Sequence, residues 1–280
     1  MYYCENIQKS IDFIERHLKE EFDLNTAVKQ SGYSVTHFYR IFQAFAGMSP
    51  KDYIRNRRLS EAAIELWSTN KRLIDLALEY GFNSQEAFTR AFDRLYHISP
   101  GRCRRTKNKI VLFEKVNVYH KTAVLKENYI EPRIILDREF HIAGLKKSVR
   151  PGDKLIKHMW EEFGFRKQEL KQSAINGCLL GICEYKPEIT DEDEFDYIAC
   201  IEVKELNSIP DGMISKSIPG SKYAVFTHKG GLSGLKSAYN AIYASWLPGS
   251  GYELAELDTI EAYYPEAGSN DRLDIYIPIK

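Results

Sequence analysis

The sequence predicts a two-part chain. An all-α front carries two helix-turn-helix units, and an α+β rear holds two strand-helix-strand-strand repeats that share an antiparallel sheet. Three observations predict this. A residue pattern recurs about fifty positions apart within the first hundred. Beyond roughly position 130 the hydrophobic period changes from helical to alternating. The charge is also divided: residues 1–109 hold 18 basic and 13 acidic side chains (+5) and residues 110–280 hold 21 and 26 (−5), though the whole chain is neutral. A length of 280 residues suits about two domains. A basic front beside an acidic rear suggests two tasks, the front one near phosphate.

Ile7, Ile11, Ile14 and Leu18 recur at three- and four-residue steps, so the chain opens on an amphipathic helix. Phe38, Arg40, Phe42, Ser49 and Pro50 then return as Phe88, Arg90, Phe92, Ser99 and Pro100, 50 positions on. Gly32 and Tyr33 return as Gly81 and Phe82, 49 positions on, with Asn83 as the extra residue. Such a period marks an internal duplication. Each copy reads as short helix, glycine turn, second helix. Gly32 and Gly81 stand where the first helix has to stop, and glycine enters a left-handed turn at little cost. Ser34 and Ser84 are placed as N-caps.

Phe38, Ile41, Phe42 and Phe45 form an apolar stripe on the second helix of the first copy, matched by Phe88, Ala91, Phe92 and Leu95 in the other. The outward sets are Thr36, Tyr39, Arg40 and Gln43, then Gln85, Glu86, Thr89, Arg90 and Asp93. Between the copies Ser49 caps and Pro50 opens a long helix reaching about Trp67, a core candidate. Lys51, Arg55, Arg57 and Arg58 crowd its first half, and Arg102, Arg104, Arg105 and Lys107 close the domain.

The stretches "SGYSVTHFYRIFQ", "GMSPKDYIRNRRLSEAAIEL" and "DLALEYGFNSQEAFTRAFDRLYHISPGRCRR" resemble the DNA-binding domain of the AraC/XylS family of transcription regulators, over residues 1–108. The resemblance implies seven helices, with two recognition helices entering neighbouring major grooves of double-stranded DNA from one chain. Arg40 and Arg90 are then first choices for base contacts, because a guanidinium bridges O6 and N7 of guanine. Gln85 suits adenine, and Thr36 or Thr89 suits a thymine methyl. Glu86 either accepts from cytosine N4 or repels wrong sequences. The arginine cluster at 55–58 (Arg55, Arg57 and Arg58) and the capping Ser34 and Ser84 suit phosphates, which position the domain without reading sequence. Gln43 completes the outward set. His37 and Tyr39 suit packing, solvent or DNA equally. The competing reading of such a face is simple solvation, and Arg40 could instead pair with an acid inside the domain. Activation is the habit of the family, which implies RNA polymerase as a partner, but the residues do not separate activation from repression.

Residues 109–128 are not rich in Gly or Ser and read as an ordered connector. In the rear, "RIILDREFHIAGLKKSV" reads as a strand pair with a turn near Arg138. "KLIKHMWEEFGFRKQEL" reads as a helix with Ile156, Met159, Trp160 and Phe163 on one face, and "NGCLLGICEYKP" and "FDYIACIEVKEL" as strands. The order repeats: "GMISKSIPGSKYAVFTHKGG" gives strands, "LSGLKSAYNAIYASWLPGSG" a helix, "DTIEAYYPEA" and "RLDIYIPIK" two strands.

This duplicated pattern over residues 129–280 resembles the GyrI-like effector-binding domain, on "GSKYAVFTHKGGLSGLKSAYNAIYASWLPGSGYEL" and "TIEAYYPE". The resemblance implies one helix of each repeat laid across a curved antiparallel sheet, with a pocket between the repeats. It also implies that the acidic residue of the second motif, Glu261, faces the ligand. Trp160, Tyr185, Tyr223, Trp246 and Tyr263 are candidate walls. Residues 110–280 hold 11 of the 18 tyrosines and two of the three tryptophans, so a ring-lined pocket has material to draw on. Rings present an electron-rich face to organic cations, and a buried carboxylate favours a cationic ligand. The alternatives are a solvated strand position for Glu261 and core packing for each ring.

Two other functions compete with an effector-sensing regulator. The rear could be a protein-interaction module on a DNA-binding protein. It could also resemble the GyrI-like hydrolases, with Glu261 as base and Tyr263 or Tyr223 as donor. No nucleophile–His–Asp set supports the latter. The five cysteines have no C-x-x-C spacing and read as free thiols, so no metal and no cofactor is expected. "MYYCENIQKS" lacks the features of a signal peptide and no run is long enough to span a membrane, so a cytoplasmic location is expected. Because one chain carries both readers, either a monomer or a homodimer would serve.

Overall fold

Capping and turn residues divide the front of the chain into α1 (Tyr2–Arg16), α2 (Leu24–Ser31), α3 (Val35–Ala46), α4 (Pro50–Ser68), α5 (Leu73–Glu79), α6 (Gln85–Tyr96) and α7 (Pro100–Thr106). The computed structural model describes residues 2–107, 110–120, 131–149, 154–184, 195–206, 209–229, 232–264 and 272–280. They fall into two units, this helical one and a β-barrel.

The duplication is visible in the caps. The Ser49 hydroxyl accepts from the Asp52 N–H at 3.1 Å and that of Ser99 from the Arg102 N–H at 3.4 Å, each followed by a proline at the helix start. Ser84 accepts from the Ala87 N–H at 3.1 Å. A cap of this kind is worth about 0.5–2 kcal/mol. Gly32 and Gly81 end α2 and α5 with φ of 68° and 73°, the left-handed geometry expected of them. The stripe of α3 is wholly buried, as are Phe88 and Phe92 of α6, while Ala91, Leu95 and Trp67 pack at the edge of the second core. Ser10 of α1 donates to the Ala27 carbonyl of α2 at 2.7 Å, tying the opening helix to the first reader.

The rear unit runs β1 (Arg133–Val149), α8 (Lys154–Arg166), β2 (Ala174–Cys183), β3 (Phe195–Val203), β4 (Ile214–Lys229), α9 (Leu235–Asn240), a π-helical stretch (Ala241–Trp246), α10 (Leu247–Ser250), β5 (Thr259–Tyr263) and β6 (Arg272–Ile279). The strands form a closed antiparallel barrel in the order β1-β3-β2-β5-β6-β4. Each repeat supplies three neighbouring strands, and the repeats join where β2 meets β5 and β1 meets β4.

Two features differ from the sequence reading. The expected strand pair around Arg138 is one continuous strand. Register shifts fall on either side of Arg138, and Asp137 takes a φ of 52°, so the irregularity is a bulge that bends β1 without ending it. The stretch before "THKGG" is likewise one strand, β4. Bent long strands explain the closure. β1 pairs with β4 along positions 133–144 and with β3 along 142–149, so one strand serves two neighbours.

Alternation assigns the faces. Ile198, Cys200, Ile260 and Ala262 point into the barrel with Phe140, Ile142, Leu180 and Tyr223. Tyr197, Ala199 and Ile201 point outward beneath Met159 and Phe163 of α8. Glu261, between Ile260 and Ala262, therefore lies on the outer face.

Candidate nucleic-acid interface and effector site

On α6 the polar face is presented as its stripe demands: Glu86 and Arg90 are exposed, and Gln85 and Thr89 partly so. The Glu86 carboxyl is held below the usual carboxylate range by its own backbone N–H and then by the Ser84 hydroxyl, so it stays an acceptor at neutral pH. On α3, Tyr39, Arg40 and Gln43 are partly exposed. His37 is buried at 5% exposure, and its N–H reaches the Ser34 hydroxyl at 3.5 Å. The Thr36 side chain lies outside the described residues.

The arginines expected at phosphates separate. Arg55 is exposed beside Asp52 at 2.5 Å, a surface pair that a phosphate can replace cheaply. Arg58 is half-buried, donates to the Glu20 carbonyl at 2.9 Å and fills the space against Gly81, where a Cβ would overlap its guanidinium. Burial pushes its pKa down. Arg57 is a correction of the same kind. It forks onto Glu15 at 2.8–3.1 Å, reaches Glu61 at 2.6 Å and donates to the Phe113 carbonyl at 2.7 Å. Both serve the interior of the unit because their acceptors lie on distant segments.

In the barrel unit Glu261 is 5% exposed. Its carboxylate accepts from the hydroxyls of Tyr263 at 2.6 Å, Tyr239 at 2.8 Å and Tyr197 at 3.3 Å. Tyr197 accepts in turn from the Trp160 indole N–H at 3.3 Å, and the Trp160 ring meets that of Tyr263 edge-on at 5.4 Å. Burial, and then the charge of Glu261, pushes all three phenols far above their usual range, so they remain donors. Three O–H donors satisfy an anionic carboxylate where water is excluded. Gly181 is the register partner of Glu261, and a Cβ there would overlap the Tyr197 hydroxyl. The bare backbone at Gly181 is what lets Tyr197 reach across.

The structure thus brings together Glu261, Tyr263 and Trp160 of the expected set. Tyr223 lies elsewhere, in the barrel interior against Phe140 and Tyr276 at 5.9 Å, because its position on β4 faces inward. Trp246 packs on Phe226 at 4.9 Å and Tyr252 at 6.0 Å, as core of the second repeat. Tyr185 lies outside the described residues. Tyr197, Tyr239 and Gly181 escaped the sequence reading. The strand phase opposite Ile198 would have pointed to Tyr197, and the four-residue step to Tyr243, with which it stacks at 6.1 Å, would have singled out Tyr239.

Among the described residues no helix is long and apolar enough to cross a membrane. A family model described as GyrI-like small molecule binding domain matches residues 130–280, and one described as helix-turn-helix domain matches residues 27–106. The HTH-type transcriptional activator AarP of Providencia stuartii is 38% identical over 111 residues, 39% of this chain and 82% of that protein. The transcriptional regulator Rob of Salmonella typhimurium is 26% identical over 292 residues, 98% of each chain. The uncharacterized HTH-type transcriptional regulator YbfP of Bacillus subtilis is 51% identical over 104 residues, 37% of this chain and 35% of that protein.

Proposed function

The chain belongs to the AraC-type helix-turn-helix transcription regulators and carries a GyrI-like small molecule binding domain, and from that premise we propose how it reads DNA and what it senses. Helices α3 and α6 enter neighbouring major grooves. Arg40 and Arg90 read guanines, Gln85 an adenine, and Thr36 or Thr89 a thymine methyl, with Tyr39, Gln43 and Glu86 on the same faces. Ser34, Ser84 and Arg55 meet phosphates. The buried His37 and the inward-committed Arg58 are left out of this set. The observation that carries this reading is the division of α6 into a buried Phe88–Phe92 stripe and an exposed face with Glu86 and Arg90.

The rear unit binds a hydrophobic organic cation at Glu261, between α8 and α9. A carboxylate ringed by Tyr197, Tyr239, Tyr263 and Trp160 supplies charge and electron-rich faces together. A hydrolase would need an acceptor lone pair turned to water, whereas Glu261 is engaged by phenols that stay protonated. The cation acts by binding one state of the regulator more tightly than another. The protein works in the cytoplasm as an activator that recruits RNA polymerase, and one chain suffices because it carries both readers.

Selection of duplexes from a random library by the full chain tests the DNA reading. Two enriched blocks about 10 base pairs apart are expected, and enrichment of no sequence would refute it. In transcription with purified polymerase, the selected site should raise initiation and a hydrophobic cation should change it.

A further inference from the structure

The segment 110–118, which joins the two units in sequence, is fastened onto the helical one through six of its nine residues, Ile110, Leu112, Phe113, Lys115, Val116 and Val118. Phe113 is gripped by both backbone groups. Its N–H donates to the Ser60 hydroxyl at 2.9 Å, and its carbonyl accepts from Arg57 at 2.7 Å, one turn away on α4. Its ring meets Tyr53 edge-on at 5.7 Å. The Val116 N–H donates to the Tyr53 hydroxyl at 3.4 Å, which donates to Glu15 at 2.7 Å. Lys115 pairs with Asp12 at 2.6 Å, and the Val118 N–H donates to the Gln8 side chain at 3.2 Å.

The Ser60 hydroxyl is completely used. It donates to the Asn56 carbonyl at 3.0 Å, accepts from Phe113, and shares a 2.7 Å hydrogen bond with the Tyr96 hydroxyl, which must then donate. Tyr96 is the last residue of α6, and its ring packs on Phe92 at 4.8 Å. At one end, Ile110 and Leu112 pack against the core that holds Phe88 and Phe92. At the other, Lys115 and Val118 are bound to α1, which is itself tied to α2. The segment therefore touches the support of both readers and the helix between them. Packing alone would have needed none of these directional bonds.

We propose that residues 110–118 form a strap that sets the pitch of α3 relative to α6, with Ser60 and Phe113 as positioning residues for DNA reading. This rests on the two-groove reading above. A chain that engages two grooves at once is sensitive to their spacing in proportion to the stiffness between its readers. The strap adds stiffness across α1, α4 and α6 to that of α4 itself.

The test uses the full chain, the duplex it selects from a random library, and versions of that duplex with one base pair inserted or removed between the two blocks, or with one block scrambled. Simultaneous engagement of linked readers is worth 10²–10⁴-fold, so the altered spacing should cost the wild type about 100-fold. Ser60→Ala and Phe113→Pro should each cut that penalty to about tenfold or less, with unchanged affinity for the scrambled duplexes and a cooperative melt. Amide exchange at position 113 should quicken in Ser60→Ala. Wild-type spacing dependence in both variants overturns the strap, as does an equal loss on every duplex, which marks a merely structural role. A wild type that selects no two-block site removes the two-groove reading and the strap together, before any variant is made.

Discussion

The front and rear units each hold a carboxylate mostly out of water, and in opposite ways. Glu15 in α1 is clamped by the fork of Arg57 at 2.8–3.1 Å and accepts from Tyr53 at 2.7 Å. Glu261 in β5 is held by phenols. A guanidinium cancels the charge it binds and makes the pair a fastening. The phenols around Glu261 are uncharged donors, so these contacts of the carboxylate differ in kind from the guanidinium fork on Glu15. The barrel shows the same contrast internally. Asp274, 1% exposed, takes Arg133 at 2.9 Å and Arg272 at 3.1 Å, together with the hydroxyls of Thr227 and Tyr264. Glu15 and Asp274 thus serve as structural fastenings, while Glu261, held by three phenols, lies where the two repeats meet.

The comparison is broken most directly at Arg57. Arg57→Ala leaves Glu15, mostly out of water, without its guanidinium partner and should cost about 3–5 kcal/mol of stability, read as a lowered urea midpoint. A loss below about 1 kcal/mol, as at a surface pair, would return Arg57 to the phosphate-binding set. Gly181→Ala should come next. Its Cβ must displace the Tyr197 hydroxyl, at about 1–3 kcal/mol, and should weaken binding of tetraphenylphosphonium along with the melting temperature. An unchanged affinity would detach Tyr197 from the ligand.

Arg90→Ala should weaken binding to the selected duplex by about 1–3 kcal/mol and relax the preference at one block only. Unchanged binding removes Arg90 from the reading set. The smallest effect is expected at Arg55, whose replacement by alanine should weaken all duplexes alike and lower the salt slope by about 1. A sequence-dependent loss would place Arg55 on a base.

Much of this was legible in the sequence, for identifiable reasons. The helix-turn-helix copies announce themselves because glycine, cap and apolar stripe are local signals, and the fifty-residue echo doubles each of them. Glu261, Tyr263 and Trp160 are named on the strength of the resemblance. Other features depend on chain segments far apart. Arg57 reads as a surface charge until Glu15, 42 residues away, closes on it. Tyr197 lies 64 residues from Glu261, and only the pairing of Gly181 with Glu261 discloses the gap it crosses. A bulge and a turn have the same local composition, so β1 read as two strands. Closure of the barrel is a property of register, which alternation does not specify.

The proposed cation site at Glu261 is tested most directly by calorimetric titration of the full chain with tetraphenylphosphonium and with a neutral analogue of similar shape. Glu261→Gln keeps the side-chain shape and removes the charge. It should weaken the cation by at least about tenfold, about 1.4 kcal/mol, and leave the neutral analogue nearly unaffected. Equal losses for both ligands, or none for either, would contradict a cation site at this carboxylate.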